Sequence, residues 1–309
     1  MNFDYNEEQQ LLADSVRRYL QKDYGFEARK QIVASKEGWS AKVWAQLAEM
    51  GLTGLPLSAD YGGFGGGAVD LMGVMDAFGE ALVVEPYLPT VLAAKLISPS
   101  KKSELLSAVA EGKARLAFAH TEAGARYNLA HVNATAKKAG GGWTIDGEKK
   151  AVAGAPMAEK LVVSAKEGNS IGLYLVDAKD VQMKAFRMLD ETRAADIVLK
   201  GAKAEKLEGG LAQVEEAVDF GTALVCAEAV GAMKFACDTT LEYLKTRKQF
   251  GVPIGTFQAL QHRVVDMFIA TEQARSMACL ACSKVDSASP VIESISLASE
   301  STPRSAYSR

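Results

Sequence analysis

The sequence predicts an α+β fold in three parts: an N-terminal helical domain, a central antiparallel β domain and an incomplete C-terminal helical bundle. The first observation behind this prediction is a hydrophobic pattern with helical periodicity up to about residue 112. The pattern then alternates over short runs to about residue 205, and helical periodicity returns up to about residue 285. The second observation is that glycine-containing turn sequences separate the alternating runs, as they do between strands.

Residues 1–112 are predicted to form the N-terminal helical domain. The first helix begins after Asn6, because Asn6 and Gln9 have the spacing of a capping box. Leu11 and Val16 fall on the apolar stripe of this helix. Further helical segments are predicted at residues 43–50, 69–82, 91–97 and 102–111.

Residues 113–205 are predicted to form the central β domain, as a sheet or a barrel. Between the alternating runs lie the turn sequences Asp146-Gly147 and a run of glycines at 140–142, which are typical of hairpins. The predicted strands cover residues 116–120, 132–137, 143–145, 160–164, 171–176 and 196–199.

Residues 206–285 are predicted to form the C-terminal helical domain as one long helical hairpin, with helices over 214–247 and 257–284. The remaining residues, 286–309, lose the apolar stripe and are rich in serine. We interpret them as a disordered tail, or as a segment that is translated in a foreign reading frame past Pro290.

Composition excludes several classes of function. The chain has 309 residues, of which 48% are apolar and 24% charged, and its net charge of -3 gives no basic surface for nucleic acid. It lacks a signal-peptide pattern, and we found no run of about 18 apolar residues, so we expect a cytoplasmic protein without a membrane span. Its four cysteines and three histidines lack zinc-finger spacing, so we expect no metal site.

The most specific motif runs from Arg247 to Gln258 and reads Arg-Lys-Gln-Phe-Gly-Val-Pro-Ile-Gly-Thr-Phe-Gln. A guanidinium suits a pyrophosphate, because its planar fork donates two parallel charge-assisted hydrogen bonds. The structural alternative is an ion pair between helices together with Phe250 in the core.

This motif resembles the Arg-x-x-Phe-Gly-x-x-Ile-x-x-Phe-Gln signature of the acyl-CoA dehydrogenase family, and the resemblance extends over residues 5–282. It implies FAD-dependent oxidation of an acyl-CoA to a trans-2-enoyl-CoA in fatty-acid metabolism. Shorter segments similar to family motifs occur in the family's order: Pro56 to Gly63, Thr121-Glu122-x-Gly124, Ile145-Asp-Gly147-x-Lys149 and Ala227-x-Ala229-x-Gly231.

The resemblance also implies roles for individual residues. By its register, Arg247, Phe250 and Gln258 contact the FAD of a neighbouring subunit. The strand end formed by Phe118, His120 and Thr121 receives the flavin ring, although a threonine there is also an ordinary strand former.

For the acyl-CoA substrate, the resemblance implies Asp219 near the entrance of the binding site. Tyr127 stands where the family has a serine that touches both flavin and acyl chain.

Some positions depart from the family pattern. Ala151 and Ala153 stand where the family has a tryptophan and a threonine against the flavin. Since an aromatic ring buries about 150–250 Å², we expect weaker or partial flavin binding. The catalytic base is unknown: the family's usual site lies beyond the end of the sequence, and its minority site corresponds to Gly221.

Two functions stay open at this point. The first is an acyl-CoA dehydrogenase, with dicarboxylic substrates such as pimeloyl-CoA among the candidates. It would act as a homo-oligomer, or as a small subunit of the pimeloyl-CoA dehydrogenase type beside a homologous large subunit, and pass electrons to an acceptor flavoprotein. The second is a non-catalytic pseudoenzyme or assembly subunit that lacks the catalytic glutamate.

Overall fold

The computed structural model describes residues 5–287, so the predicted tail at 286–309 lies almost entirely outside the described residues. The helices are α1 (Glu7–Asp23), α2 (Phe26–Ala34), α3 (Ala41–Glu49), α4 (Ala68–Ala81), α5 (Tyr87–Ile97), α6 (Ser103–Ala110), α7 (Leu211–Thr246) and α8 (Gln258–Asp286). The strands are β1 (Leu116–Ala119), β2 (Thr135–Ala139), β3 (Gly142–Ala153), β4 (Lys160–Glu167), β5 (Ser170–Asp177), β6 (Gln182–Arg187), β7 (Arg193–Leu207), β8 (Lys248–Gln249) and β9 (Val252–Pro253). The predicted succession of helical, β and helical regions is confirmed.

The chain divides into two compact units. Unit 1 consists of Met1–Phe26, Gly67–Val83 and Thr222–Arg309, and unit 2 consists of Glu27–Gly66 and Val84–Gly221. The exact boundaries of the three sequence domains stay a prediction.

Unit 2 contains the β region, which closes into a barrel. Strands β4, β2, β3, β7 and β5 form a ring, because each pairs with the next and β5 pairs again with β4. Most pairings are antiparallel, but β4 pairs in parallel with both β1 and β2, which the sequence pattern did not predict. Apolar side chains from these strands fill the interior, among them Ile145, Leu161 and Ile197.

Local signals placed the first helix correctly but misassigned part of its buried face. The Asn6 side chain accepts a hydrogen bond from the Gln9 backbone at 2.8 Å, and the Gln9 side chain accepts one from the Asn6 backbone at 2.9 Å, so the capping box is present. Leu11, however, is 63% exposed, and Ala13 is buried beside Val16 on the inner face. The small Ala13 is used because Gly73 of α4 approaches it closely.

In unit 1, α4 and α7 cross with their backbones in contact at two glycines. A Cβ added to Gly79 would lie 1.7 Å from the carbonyl oxygen of Glu228. A Cβ added to Gly231 would lie 1.8 Å from the carbonyl oxygen of Asp76. Only hydrogen atoms fit at these two points, so the crossing requires glycine at both.

The beginning of α4 is held by a residue from the end of α8. The Asp286 carboxylate accepts hydrogen bonds from the backbone N–H of Ala68 at 2.7 Å and of Val69 at 2.9 Å. These N–H groups have no partner within α4, and the negative charge also suits the positive end of the helix dipole.

The remaining expectations concern cysteines and membranes. In the described part of the chain all four cysteines are free, and three of them are buried, as expected for small core side chains. Helix α7 is long and apolar enough to cross a membrane, which the sequence pattern had not indicated. A core helix has the same properties, and Val214, Phe220 and Leu224 of α7 are buried, so this is weak evidence for a span.

Candidate functional site

In unit 1, the motif from Arg247 to Gln258 forms a tight corner between α7 and α8. The backbone of Arg247 accepts a hydrogen bond from Ile254 N–H at 2.8 Å, which closes the short hairpin of β8 and β9. Phe250 lies at the tip of this hairpin with a φ of 53°, and Gly251 follows with a φ of 84°. Two successive left-handed residues make the sharp turn that brings the chain back to the start of α8.

The three predicted cofactor contacts at this corner face solvent. Phe250 is 91% exposed, and the side chains of Arg247 and Gln258 are also exposed. Among the described residues, neither the guanidinium nor the amide has a side-chain hydrogen bond or ion pair. The Phe250 ring meets the edge of the Phe257 ring with centroids 6.2 Å apart. Within the described part of the chain, Phe250 is therefore not a core residue and Arg247 forms no ion pair between helices, which were the two features of the structural alternative.

In unit 2, the end of β1 presents the second group of predicted contacts. Thr121 has an exposed side chain, while its carbonyl accepts a hydrogen bond from Lys150 N–H at 2.8 Å. His120 is buried, its Nδ1 lies 2.8 Å from the Ser164 hydroxyl, and its ring stacks on Phe118 at 5.4 Å. The strand end thus turns one polar side chain outward and anchors the preceding one inside.

Behind this strand end lies a buried network that the sequence did not predict. Lys149 is fully buried, and its ammonium donates to the Glu122 carboxylate at 2.8 Å, the Ser164 hydroxyl at 3.0 Å and the His120 carbonyl at 3.1 Å. Glu122 also accepts hydrogen bonds from the backbone N–H of Asn133 at 2.6 Å and of Ala134 at 3.0 Å.

Burial and hydrogen bonding determine the charge states in this network. Burial, together with the nearby Lys149 ammonium, lowers the pKa of His120 to about 4, so the imidazole is neutral at pH 7. Burial also lowers the pKa of Lys149 to about 8, although Glu122 opposes this. Burial alone would raise the pKa of Glu122, but the Lys149 ammonium and two backbone donors lower it below its usual value.

We expect His120 to make the protein less stable in mild acid. Between its ordinary pKa of 6.5 and its folded pKa of about 4, only the unfolded chain takes up the proton, so stability falls as pH falls through this window. The loss at pH 5 relative to pH 8 is about 2 kcal/mol. Urea unfolding of the wild type and of His120→Asn at both pH values measures it.

The variant should lose this part of the pH dependence, while other titrating groups contribute equally to both proteins. His262→Asn is the matched control, since His262 is exposed on α8, and it should keep the wild-type dependence. Equal pH dependence in His120→Asn and the wild type would contradict the assignment.

The predicted substrate contacts also lie in unit 2. Tyr127 is 99% exposed in the loop after β1, next to Arg126, whose φ is 50°. Asp219 is half-buried on α7, where burial and the nearby Glu215 carboxylate raise its pKa. Their contact with acyl-CoA stays a prediction.

At Gly221, the position of the minority base, a Cβ would lie 2.9 Å from the Leu92 Cδ1 atom. The Leu92 side chain therefore occupies the space that the first atoms of an Asp or Glu side chain at position 221 would need. A longer residue at Gly221 would require Leu92 to move.

Ala151 and Ala153, the two positions of β3 that differ from the family pattern, expose only small side chains. Ala151 and Ala153 are both exposed, and Ala151 has a φ of 50° within an irregular stretch of the strand. Its N–H donates to the Asp196 carboxylate at 3.1 Å, which holds this conformation. These two positions therefore supply neither an aromatic wall nor a hydroxyl.

One feature of the sequence indicates the buried network. Lys149 lies on β3, whose Ile145 points into the barrel, and a charged residue on the inner side of a strand requires an acidic partner. The spacing of residues along the sequence does not reveal which acidic residue is the partner of Lys149. In the part of the chain that the structure describes, no cluster of three or more His, Cys, Asp or Glu could hold a metal ion.

Three protein-family models match nearly all of the described chain. Residues 6–113 match the model "Acyl-CoA dehydrogenase, N-terminal domain", residues 117–210 match the middle domain, and residues 208–307 match the C-terminal domain. The chain is 30% identical to the acyl-CoA dehydrogenase FadE12 of Mycobacterium tuberculosis over 302 residues, covering 89% of this chain and 76% of that protein.

Two solved structures are also similar. A steroid ACAD variant, Tcur3481-Tcur3483 G363A, superimposes with a TM-score of 0.84 at 30% identity, covering 91% of this chain and 78% of that one. The ChsE4-ChsE5 complex from Mycobacterium tuberculosis gives a TM-score of 0.85 at 25% identity, covering 93% and 80%.

Proposed function

Because this chain belongs to the acyl-CoA dehydrogenase family, we propose that it works as one subunit of a heteromeric flavoprotein that oxidises an acyl-CoA to a trans-2-enoyl-CoA. The observation that carries the proposal is the exposed corner with a guanidinium and an amide that have no partner among the described residues. Polar groups of this kind on the surface are better placed to bind a ligand or a second subunit than to stabilise the fold of this chain.

FAD fits the chemistry of these groups. The guanidinium of Arg247 and the amide of Gln258 would hold the anionic pyrophosphate of the FAD that belongs to the neighbouring subunit, and the Phe250 ring would cover an apolar part of that cofactor. Separately, the exposed hydroxyl of Thr121 would contact the ring of the flavin bound at the β domain. When bound, FAD supplies the acceptor for the hydride that leaves the acyl β-carbon.

The partner would be a homologous large subunit. Gly221 supplies no carboxylate at the minority base position, and Leu92 fills the space beside it, so the α-proton would not be removed from this position. Two similar structures carry paired names, Tcur3481-Tcur3483 and ChsE4-ChsE5, and the second is described as a complex. This supports a heteromeric arrangement over a homo-oligomer.

Asp219 and Tyr127 would contact the acyl-CoA in this proposal. A dicarboxylic substrate such as pimeloyl-CoA, an acceptor flavoprotein for the electrons and a cytoplasmic location stay predictions from the sequence.

The second candidate function is a pseudoenzyme that serves only in assembly. Ala151 and Ala153 favour it, because a flavin ring bound there would lack its usual shielding. The two functions differ in a simple measurement. The pseudoenzyme is excluded if the complex of this chain with its partner reduces an artificial electron acceptor with acyl-CoA and Arg247→Ala in this chain lowers both that rate and the flavin content; unchanged values in the variant support the pseudoenzyme.

We expect Arg247→Ala to weaken FAD binding by about tenfold to a hundredfold, because it removes charge-assisted hydrogen bonds to the pyrophosphate. Its folding should be unaffected, since the side chain is exposed. Fluorescence titration of the flavin-free protein with FAD, in the presence of the partner subunit, measures the dissociation constant.

The matched control is Lys248→Ala, which removes an exposed positive charge from the next residue. It should bind FAD like the wild type at 150 mM salt, where long-range attraction is largely screened. If Arg247→Ala and Lys248→Ala bind FAD equally well, the corner is not the pyrophosphate site.

A further inference from the structure

We propose that Lys149 is a positioning residue that fixes the end of β1 for the flavin ring; this inference rests on the proposed function. The side chain does not reach the surface, so it cannot itself touch a ligand. It acts through the backbone and side chains to which its ammonium donates.

The geometry of the network supports this role. An ammonium has three N–H donors. Lys149 donates one hydrogen bond to each of three acceptors: the His120 carbonyl, the Glu122 carboxylate and the Ser164 hydroxyl. His120 and Glu122 flank Thr121 on both sides. One buried cation therefore anchors both neighbours of the exposed threonine, and the Thr121 side chain between them has a fixed direction.

Strand pairing does not provide this anchor. The ladder between β1 and β4 ends with Ala119 opposite Val163, so the residues after Ala119 have left it. Beyond that point the chain is held by Lys149, by the hydrogen bond from Lys150 N–H to the Thr121 carbonyl, and by the contact of His120 Nδ1 with the Ser164 hydroxyl, to which Lys149 also donates. Glu122 is held in turn by Asn133 and Ala134, at the approach to β2.

Stability alone does not explain a buried ion pair here. Apolar residues of similar size often replace buried pairs without loss of stability, because taking two charges out of water is costly. The barrel interior is otherwise filled by apolar side chains. A network in which every donor and acceptor is satisfied instead specifies one arrangement, and the arrangement specified here is that of residues 120–122.

The test uses Lys149→Met combined with Glu122→Gln, so that no unpaired charge stays buried. The matched control is Lys150→Met. It removes a lysine charge from the next position of β3, where the side chain is partly exposed and pairs with Glu148 and Asp196. Both proteins are first compared with the wild type by urea unfolding, so that differences in global stability are known.

The first measurement needs no cofactor. Hydrogen exchange of the backbone N–H at residue 150, which donates to the Thr121 carbonyl, reports whether the strand end is held. We expect it to become roughly tenfold faster in Lys149→Met/Glu122→Gln than in Lys150→Met at equal global stability. Unchanged exchange would overturn the inference.

The second measurement uses FAD and the partner subunit. In the double variant we expect roughly tenfold weaker FAD binding and a shifted visible absorption band of the bound flavin, because the contacts to the ring are displaced. Lys150→Met should show neither change. Wild-type affinity and spectrum in the double variant would overturn the inference. A wild-type protein that binds no FAD would instead refute the proposed function, while the exchange result still decides whether Lys149 holds the strand end.

Discussion

Replacing Gly231 with alanine is expected to lower the free energy of unfolding by about 3 kcal/mol or more. The added methyl group would lie 1.8 Å from the Asp76 carbonyl oxygen, which belongs to the backbone of α4 and cannot rotate away. The two helices would have to separate, and the contact at Gly79 would open with them. Alanine favours a helix over glycine by about 1 kcal/mol, which is too little to compensate. Urea unfolding measures the change.

Gly25→Ala serves as the control for this experiment. Gly25 also belongs to unit 1, but a Cβ there meets nothing within 4 Å. Its substitution should leave the unfolding midpoint nearly unchanged, whereas Gly79→Ala should resemble Gly231→Ala. A Gly231→Ala protein as stable as Gly25→Ala would show that the helices do not cross as described.

Lys149→Met without a second substitution is expected to destabilise the protein by about 3–5 kcal/mol, because it leaves the Glu122 carboxylate buried without its cation. The His120 carbonyl and the Ser164 hydroxyl lose a donor at the same time. Chemical unfolding at pH 7 gives the free energy. Adding Glu122→Gln should recover part of the loss, since it removes the unpaired buried charge, although the single amide oxygen can accept only one of the two N–H bonds from Asn133 and Ala134.

Lys150→Met tests whether the effect belongs to the buried charge. Its ion pairs are partly exposed, so its loss should destabilise the protein much less than Lys149→Met does. If Lys149→Met were no more destabilising than Lys150→Met, or if Glu122→Gln gave no recovery, the buried pair would have no energetic role.

The sequence predicted those parts of the fold that depend on neighbouring residues. The capping box of Asn6 and Gln9 is such a case, because its partners are three positions apart. Strand β6 was missed because most of its side chains are exposed, so no apolar alternation marks it. Helix α2 was missed for a related reason, since Val33 is its single buried residue. The parallel pairing of β1 with β4 joins distant segments, which local pattern does not reveal.

The same limit applies to the candidate site: its local parts could be predicted from the sequence, but contacts between distant residues could not. The corner from Arg247 to Gln258 could be found because all of its residues lie in one stretch, and the structure exposes its three polar or aromatic groups. The pairing of Lys149 with Glu122 joins residues 27 positions apart on different elements. The sequence marks Gly231 only as part of a motif, because its contact with Asp76 depends on where α4 passes α7.

The capping of α4 by Asp286 has a consequence for synthesis on the ribosome. Ala68 and its capping residue are separated by 218 positions, which takes roughly 10–40 s to translate. All of unit 2 has been made by Gly221, before the last stretch of unit 1 exists. The nascent chain therefore carries α4 without α7 and α8 for much of its elongation, and during this period the apolar surface that they later cover is open to aggregation.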